Sequence, residues 1–319
     1  MPAGARDEFT RTIATVRQQF EAVVENIRKV ILGKEDVIAR VLVAMTARGH
    51  VLLRDVPGVG KTMLAKTIAA SMSCGFKRIQ FTPDLLPMDV AGSNTFDMRK
   101  KAFEFQPGPV FTNILLADEI NRATPKTQSA LLEVMEERQV TVEGETHKLE
   151  APFQVLATMN PLDHEGTYPL PAAQLDRFMM MLSMGFPSEV AEVQMLSVHL
   201  QPEPPLLDLQ PVVTREDFVK WQEAVPYVFF AEELKRYLVA VLHALRSDAR
   251  NLQSISPRST LLLGRAAQAR AMLRGRDYVT AEDLQAMAPD VLGHRVLLAD
   301  GRAGREFITE VLARVAVPS

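Results

Sequence analysis

Apolar residues recur at helical spacing through Phe9, Ile13, Val16, Phe20, Val23, Val24 and Ile27. This predicts an amphipathic lead-in helix, which Gly33 breaks. Short apolar runs follow at His50 to Leu53, Arg78 to Phe81, Asn113 to Ala117 and Phe153 to Thr158. They read as strands buried on both faces. Helical patterns separate most of them, so the expected fold class is α/β with a doubly wound parallel sheet.

Insertions at 82–110, rich in Pro and Phe, and at 139–149 interrupt this rhythm. The second alternates around Glu143-Gly144 and predicts a β-hairpin. The segment QPEPPLLDLQP, with four prolines, stops helices and favours an extended connector. Beyond it the pattern is helical, with stripes at Leu234, Leu238, Val241, Leu242 and Leu245 and again from Leu261 to Leu273. Thr214 with Asp217, and Thr280 with Asp283, are spaced as capping boxes. The expected organisation is a lead-in helix (1–30), an α/β domain (31–200), a linker (201–212) and a small all-helical domain (213–319).

A chain of 319 residues suits one large core and a smaller satellite. The net charge of −3, from 36 basic and 39 acidic residues, provides no global field for nucleic acid or anionic membranes. A single cysteine, Cys74, excludes an internal disulfide framework and fits a reducing compartment. Met1 to Phe20 carries charges throughout, so no secretory signal is expected, and no apolar run is long enough to insert in a membrane. A cytoplasmic location is the expectation.

The strongest chemical signal is Asp55-Val-Pro-Gly-Val-Gly-Lys-Thr62, placed after a strand pattern and before the helical run Met63 to Ser71. A P-loop needs that context, because its backbone N–H groups wrap phosphates at a helix N-terminus. Gly58 and Gly60 allow close backbone approach, Lys61 would neutralise the β and γ phosphates, and Thr62 would offer its hydroxyl to Mg²⁺. A glycine-rich turn that merely precedes a lysine is the bland alternative. Asp55 stands where the usual first glycine of the motif would be. A carboxylate facing phosphates would be repelled, so it is expected to point outward.

Asn113-Ile-Leu-Leu-Ala-Asp118-Glu119 is an apolar strand ending in two acids, tolerable only at the exposed carboxyl end of a parallel strand. Asp118 would hold Mg²⁺ through water, and Glu119 would act as general base on the attacking water. The next strand ends in Thr158-Met-Asn-Pro161, which brings Asn160 to the same edge; an Asn capping a turn before proline is its alternative.

With Leu175-Asp-Arg-Phe178 and Ser256-Pro-Arg258 added in this order, the sequence resembles the MoxR family of AAA+ ATPases, from Ile31-Leu-Gly-Lys-Glu35 to His294-Arg295. The resemblance implies a P-loop AAA+ core followed by a helical lid, with ATP and Mg²⁺ as cofactors. It makes Asn160 the sensor 1 residue, Arg177 an arginine finger acting in trans, and Arg258 the sensor 2 residue. Without it, Arg177 reads first as an ordinary surface ion-pair partner of Asp176, and Arg258 reads equally as a solvated helix-end arginine. Ile31, Leu32 and Gly33 correspond to the adenine-pocket stretch; Pro57, Val59 and Met63 complete the nucleotide contacts. The resemblance further implies self-association into a ring, read as a hexamer, and chaperone-like remodelling of a client protein together with a von Willebrand A domain partner.

A nucleic-acid motor is the competing class, since related helicases grip DNA through equivalent insertions. Segment 82–110 holds Asp84, Asp89, Asp97 and Glu104 against Arg99, Lys100 and Lys101, and 139–149 holds Glu143 and Glu145 against Lys148. Neither is a phosphate track. A nucleotide-gated scaffold without turnover is disfavoured by the presence of Lys61, Asp118, Glu119 and Asn160 together.

Overall fold

The computed structural model describes residues 3–161, 166–200, 209–299 and 302–318. The lead-in helix is α1 (Ala3–Arg28), followed by α2 (Glu35–Thr46) and β1 (Val51–Arg54). The core continues through α3 (Lys61–Ser71), β2 (Phe76–Gln80), α4 (Pro87–Ala91), the hairpin β3 (Gly92–Asp97) and β4 (Ala102–Pro107), and β5 (Ile114–Asp118). Then come α5 (Pro125–Glu137), the hairpin β6 (Gln139–Val142) and β7 (Glu145–Lys148), β8 (Gln154–Met159), α6 (Ala172–Leu175), β9 (Met180–Leu182) and α7 (Glu189–His199). The C-terminal helices are α8 (Arg215–Ala224), α9 (Glu232–Ser247), α10 (Pro257–Leu273), α11 (Ala281–Leu292) and α12 (Gly304–Arg314).

The main sheet has the strand order β2-β5-β8-β1-β9, with every pair parallel. Successive strand side chains point to opposite faces, and the burial follows that rule. Val51, Leu53, Ile114, Leu116 and Leu156 join the cluster that includes Leu64 and Ile68 of α3. Leu52, Leu115, Ala117, Val155 and Ala157 join the cluster that includes Leu131 and Leu132 of α5. Helices therefore cover both faces, the condition under which all-parallel strands read as unbroken apolar runs.

Each expected strand is present within two residues of its expected ends, and the run Phe178 to Leu182 supplies a further one, β9. The insertion 82–110 holds α4 and the β3–β4 hairpin, while 139–149 forms the hairpin its alternation predicts. Residues 201–208 of the expected linker lie outside the described residues. Its end is tied to the core, where the Val212 amide donates to the Ser71 carbonyl at 2.9 Å.

The α3-side cluster runs without a break into Phe218, Trp221, Leu242, Leu263 and Phe307 of the C-terminal helices. Both predicted capping residues sit at helix starts: the Asp217 amide donates to Thr214 Oγ1 at 3.1 Å, and the Thr280 amide donates to Asp283 Oδ2 at 2.9 Å. Among the described residues no helix is long and apolar enough to cross a membrane.

Candidate functional site

Parallel strands direct their carboxyl ends to one edge, and β5, β8 and β1 are neighbours there. The loop after β1 turns into α3 through Gly58 (φ 87°) and Gly60 (φ 91°), left-handed conformations that disfavour any residue with a Cβ. Lys61 and Thr62 open α3, so the free N–H groups of that helix face the loop. Lys61, Thr62, Asp118, Glu119 and Asn160 line one cleft of about 440 Å³.

Lys61 Nζ donates to the carbonyls of Asp55 (2.7 Å) and Val56 (3.1 Å). Partial burial lowers its pKa, against the opposing charges of Asp55, Asp118 and Glu119. Asp118 Oδ1 accepts from Thr158 Oγ1 at 2.5 Å, while Oδ2 accepts from Arg78 Nη2 at 2.6 Å and Nε at 3.0 Å. Glu119 takes left-handed backbone angles (φ 55°, ψ 49°), and its amide donates to Thr158 Oγ1 at 2.9 Å. Its Oε2 accepts from Gln80 Nε2 at 2.6 Å and Arg122 Nη1 at 3.0 Å. Strain of this kind in a non-glycine residue persists where surrounding bonds over-determine it.

A second, more apolar pocket of about 630 Å³ adjoins the loop. Ile31, Leu32 and Val59 line it, with Pro57, Gly58, Gly60 and Met63 shared between the two spaces, and Met184 and Phe186 lining it as well. Gly33 does not line either space; at φ 66° it backs onto Ala191, 2.9 Å from where a Cβ would stand. A larger cavity of about 940 Å³ lies between the core and the C-terminal helices, lined by Arg40, Arg54 and Arg305 among others. Met159, Leu175 and His294 also line it, but Lys61, Thr62, Asp118, Glu119 and Asn160 do not.

The profile described as "ATPase family associated with various cellular activities (AAA)" matches residues 50–180, and an AAA lid domain profile matches 243–314. Over 331 residues the chain is 38% identical to Chaperone MoxR1 of Mycobacterium tuberculosis, covering 99% of this chain and 86% of that one. The chain belongs to the MoxR family of AAA+ ATPases. Protein MoxR of Methylorubrum extorquens is 30% identical over 301 residues, covering 85% of each chain. The YeaC protein of Bacillus subtilis is 47% identical over 300 residues, covering 92% of this chain and 93% of that one. The crystal structure of a candidate ATPase from Cytophaga hutchinsonii superposes with a TM-score of 0.91 at 37% identity, over the whole of both chains.

In this MoxR-family chain Asp55 does not point outward to solvent. It is 6% exposed, and its carboxylate turns away from the loop onto the segment after β9. Ser183 Oγ (2.6 Å) and the Gly185 amide (3.1 Å) donate to Oδ1, and the Met184 amide (2.7 Å) donates to Oδ2. Those donors replace the water that a buried carboxylate loses. The residue thus joins the start of the P-loop to the wall of the apolar pocket.

Arg177 and Arg258 do not line the cleft of Lys61, Asp118 and Asn160. Both reach one carboxylate on α5: Arg258 Nη1 donates to Glu136 Oε1 at 2.5 Å, and Arg177 Nε stands 3.2 Å from Glu136 Oε2. The neighbouring Asp176 pairs with Arg295 instead, at 2.6 Å. Sequence reasoning missed Glu136, Arg78 and Gln80. The last two had a readable signal: in β2 they are two apart, hence on one face, and Gln80 stands in register with Asp118.

Proposed function

We propose that this chain hydrolyses ATP to ADP and phosphate within a ring, read as a hexamer, and uses the cycle to remodel a client protein during maturation or cofactor insertion. The observation that carries the reading is the convergence of Lys61, Thr62, Asp118, Glu119 and Asn160 on one cleft at the ends of adjacent parallel strands. Lys61 would leave its two carbonyl partners for the β and γ phosphates. Glu119 would take the proton of the attacking water as general base, and Asn160 would orient that water. Ile31, Leu32 and Met63 would receive the adenine through apolar contact.

The oxygen donors Thr62 and Asp118 in the same cleft suit Mg²⁺, a hard cation that favours oxygen ligands. Thr62 and Asp118 would hold the ion there, where it would supply charge neutralisation at the phosphates. Arg177 and Arg258 stand together and outside their own cleft, which supports both acting in trans on the nucleotide of a neighbouring subunit.

A client-handling surface is supported by the β3–β4 hairpin, where Phe96, Met98 and Phe103 are exposed, Phe103 at 69%. Exposed aromatic groups suit a polypeptide better than a phosphate backbone. A relative is named as a chaperone, and a von Willebrand A domain protein is the expected second partner. A cytoplasmic location fits Cys74, whose thiol burial pushes up to about 12, leaving it inert.

The test is Glu119→Gln, which should keep ATP binding, nearly abolish hydrolysis, and retain the client on affinity capture in ATP. Hydrolysis at the wild-type rate, or stimulation by DNA at physiological salt, would overturn the reading.

A further inference from the structure

Asp176 lies between the end of α6 and Arg177, and among the described residues its carboxylate is held from the lid. Arg295 Nε donates to Oδ1 at 2.6 Å, Ser256 Oγ donates to Oδ2 at 3.0 Å, and Ser259 Oγ stands 3.5 Å from Oδ1. Ser256 is the N-cap of α10, a position at which a serine side chain ordinarily accepts from its own helix. Here it makes no such bond and turns to Asp176 instead.

Arg295 is 2% exposed. Its Nη2 donates to the carbonyls of Asp176 (2.9 Å) and Phe178 (2.7 Å), so one guanidinium wraps the turn on both sides of Arg177. Arg258 follows Ser256 by two positions, as Arg177 follows Asp176 by one. One carboxylate therefore fixes the start of α10 against the finger turn and sets the spacing of the two arginines.

The two contacts of this region differ in kind. Pulling the lid from Asp176 would leave a buried guanidinium without its counter-charge, which is strongly unfavourable. Releasing Glu136 exposes only half-exposed groups to water, which is cheap. During turnover the second contact is the one free to exchange.

We propose that Asp176 is a positioning residue that joins the lid to the arginine-finger turn, so that Arg177 and Arg258 meet a neighbour's nucleotide as one rigid pair. This rests on the reading of Arg177 as a finger in trans, and mixed rings separate the two. The experiment measures ATP affinity and turnover for Asp176→Asn and Arg177→Ala rings, alone and mixed with Lys61→Ala subunits, whose own P-loop is disabled but whose Asp176 and Arg177 are intact.

For Asp176→Asn alone, ATP affinity should stay within about twofold of wild type while turnover falls about tenfold or more, the scale of one lost transition-state contact. Mixing with Lys61→Ala subunits should restore turnover, as it should for Arg177→Ala. Mixing Asp176→Asn with Arg177→Ala subunits should restore none.

Rescue of Arg177→Ala but not of Asp176→Asn would overturn the proposal, as would a matching loss of ATP affinity, the mark of general damage to the subunit. Failure to rescue Arg177→Ala would overturn the trans reading beneath it. If Asp176→Asn does not fold, Ser256→Ala carries the same test: turnover lowered at unchanged affinity and restored by Lys61→Ala supports the proposal, and unaltered turnover overturns it.

Discussion

Arg258, on the first turn of a lid helix, and Glu136, near the end of α5, meet at 2.5 Å, while Arg177 takes the other oxygen of that carboxylate. The three groups are between 30% and 41% exposed, so the contact contributes little to stability, on the order of 1 kcal/mol or less. Its consequence lies in competition: a guanidinium held by Glu136 must leave it to meet a phosphate. Glu136→Gln should shift the unfolding midpoint by no more than about 3 °C. It should lower the subunit concentration for half-maximal ATPase activity up to about fivefold, the equivalent of ~1 kcal/mol. A dilution series of ATPase rates checks this, and a raised half-maximal concentration would show that Glu136 assists assembly instead.

Gln80 reaches the proposed general base from the neighbouring strand. Its amide and Arg122 both donate to Glu119 Oε2, and each such bond stabilises the carboxylate and so lowers its basicity toward a water molecule. Gln80→Ala removes the shorter bond. Basal turnover should rise about three- to tenfold, the scale of one hydrogen bond to a charged group, with ATP affinity unchanged. Steady-state rates with and without the client distinguish this from a role in orienting Glu119, for which turnover would fall.

The sheet and the cleft were legible in the sequence for a common reason. Strands buried on both faces read as apolar runs, and acids or amides at their ends can face only the exposed edge, as Asp118 and Asn160 do. What escaped was set by contacts distant in sequence. The bond from Arg295 to Asp176 spans 119 positions, and it removes the neighbouring acid from Arg177, which turns to Glu136 instead. The β3–β4 hairpin escaped for another reason. Phe96 and Phe103 are cross-strand partners left exposed, so their apolar character carried no core periodicity.

Asp55 stands where the motif's usual first glycine would be, and three donors hold it from the wall of the apolar pocket. Asp55→Ala would leave the Met184 and Gly185 amides without an acceptor, at a cost of about 1–3 kcal/mol for each buried donor. ATP affinity should fall about tenfold or more, and the unfolding midpoint should drop. Asp55→Asn, which keeps one acceptor oxygen, should fall between. Titration with ATP alongside a thermal melt checks both effects. Tighter ATP binding in Asp55→Ala would mean that the carboxylate opposes the phosphates after all.

His50 sets an acid limit on the fold. It is buried between α5 and β8, its Nδ1 accepts from the Val155 amide at 2.9 Å, and its Nε2 lies 3.0 Å from the Met135 carbonyl. Acceptance at Nδ1 places the proton on Nε2, so the neutral ring satisfies both neighbours. Burial pushes its pKa down to about 4; the Met135 carbonyl opposes this, and Arg138 and Arg258 add to it. Between about 4 and the ordinary value of 6.5 the unfolded chain binds this proton and the folded chain does not. Its contribution to stability is therefore full above pH 6.5 and lost as pH falls toward 4, about 3 kcal/mol in all. His50→Gln supplies an amide donor and a carbonyl acceptor without a titrating group. Its stability between pH 7 and pH 4.5, followed by urea unfolding, should lose about one proton's worth of slope relative to wild type. Identical slopes in the two proteins would mean that other groups carry the acid sensitivity.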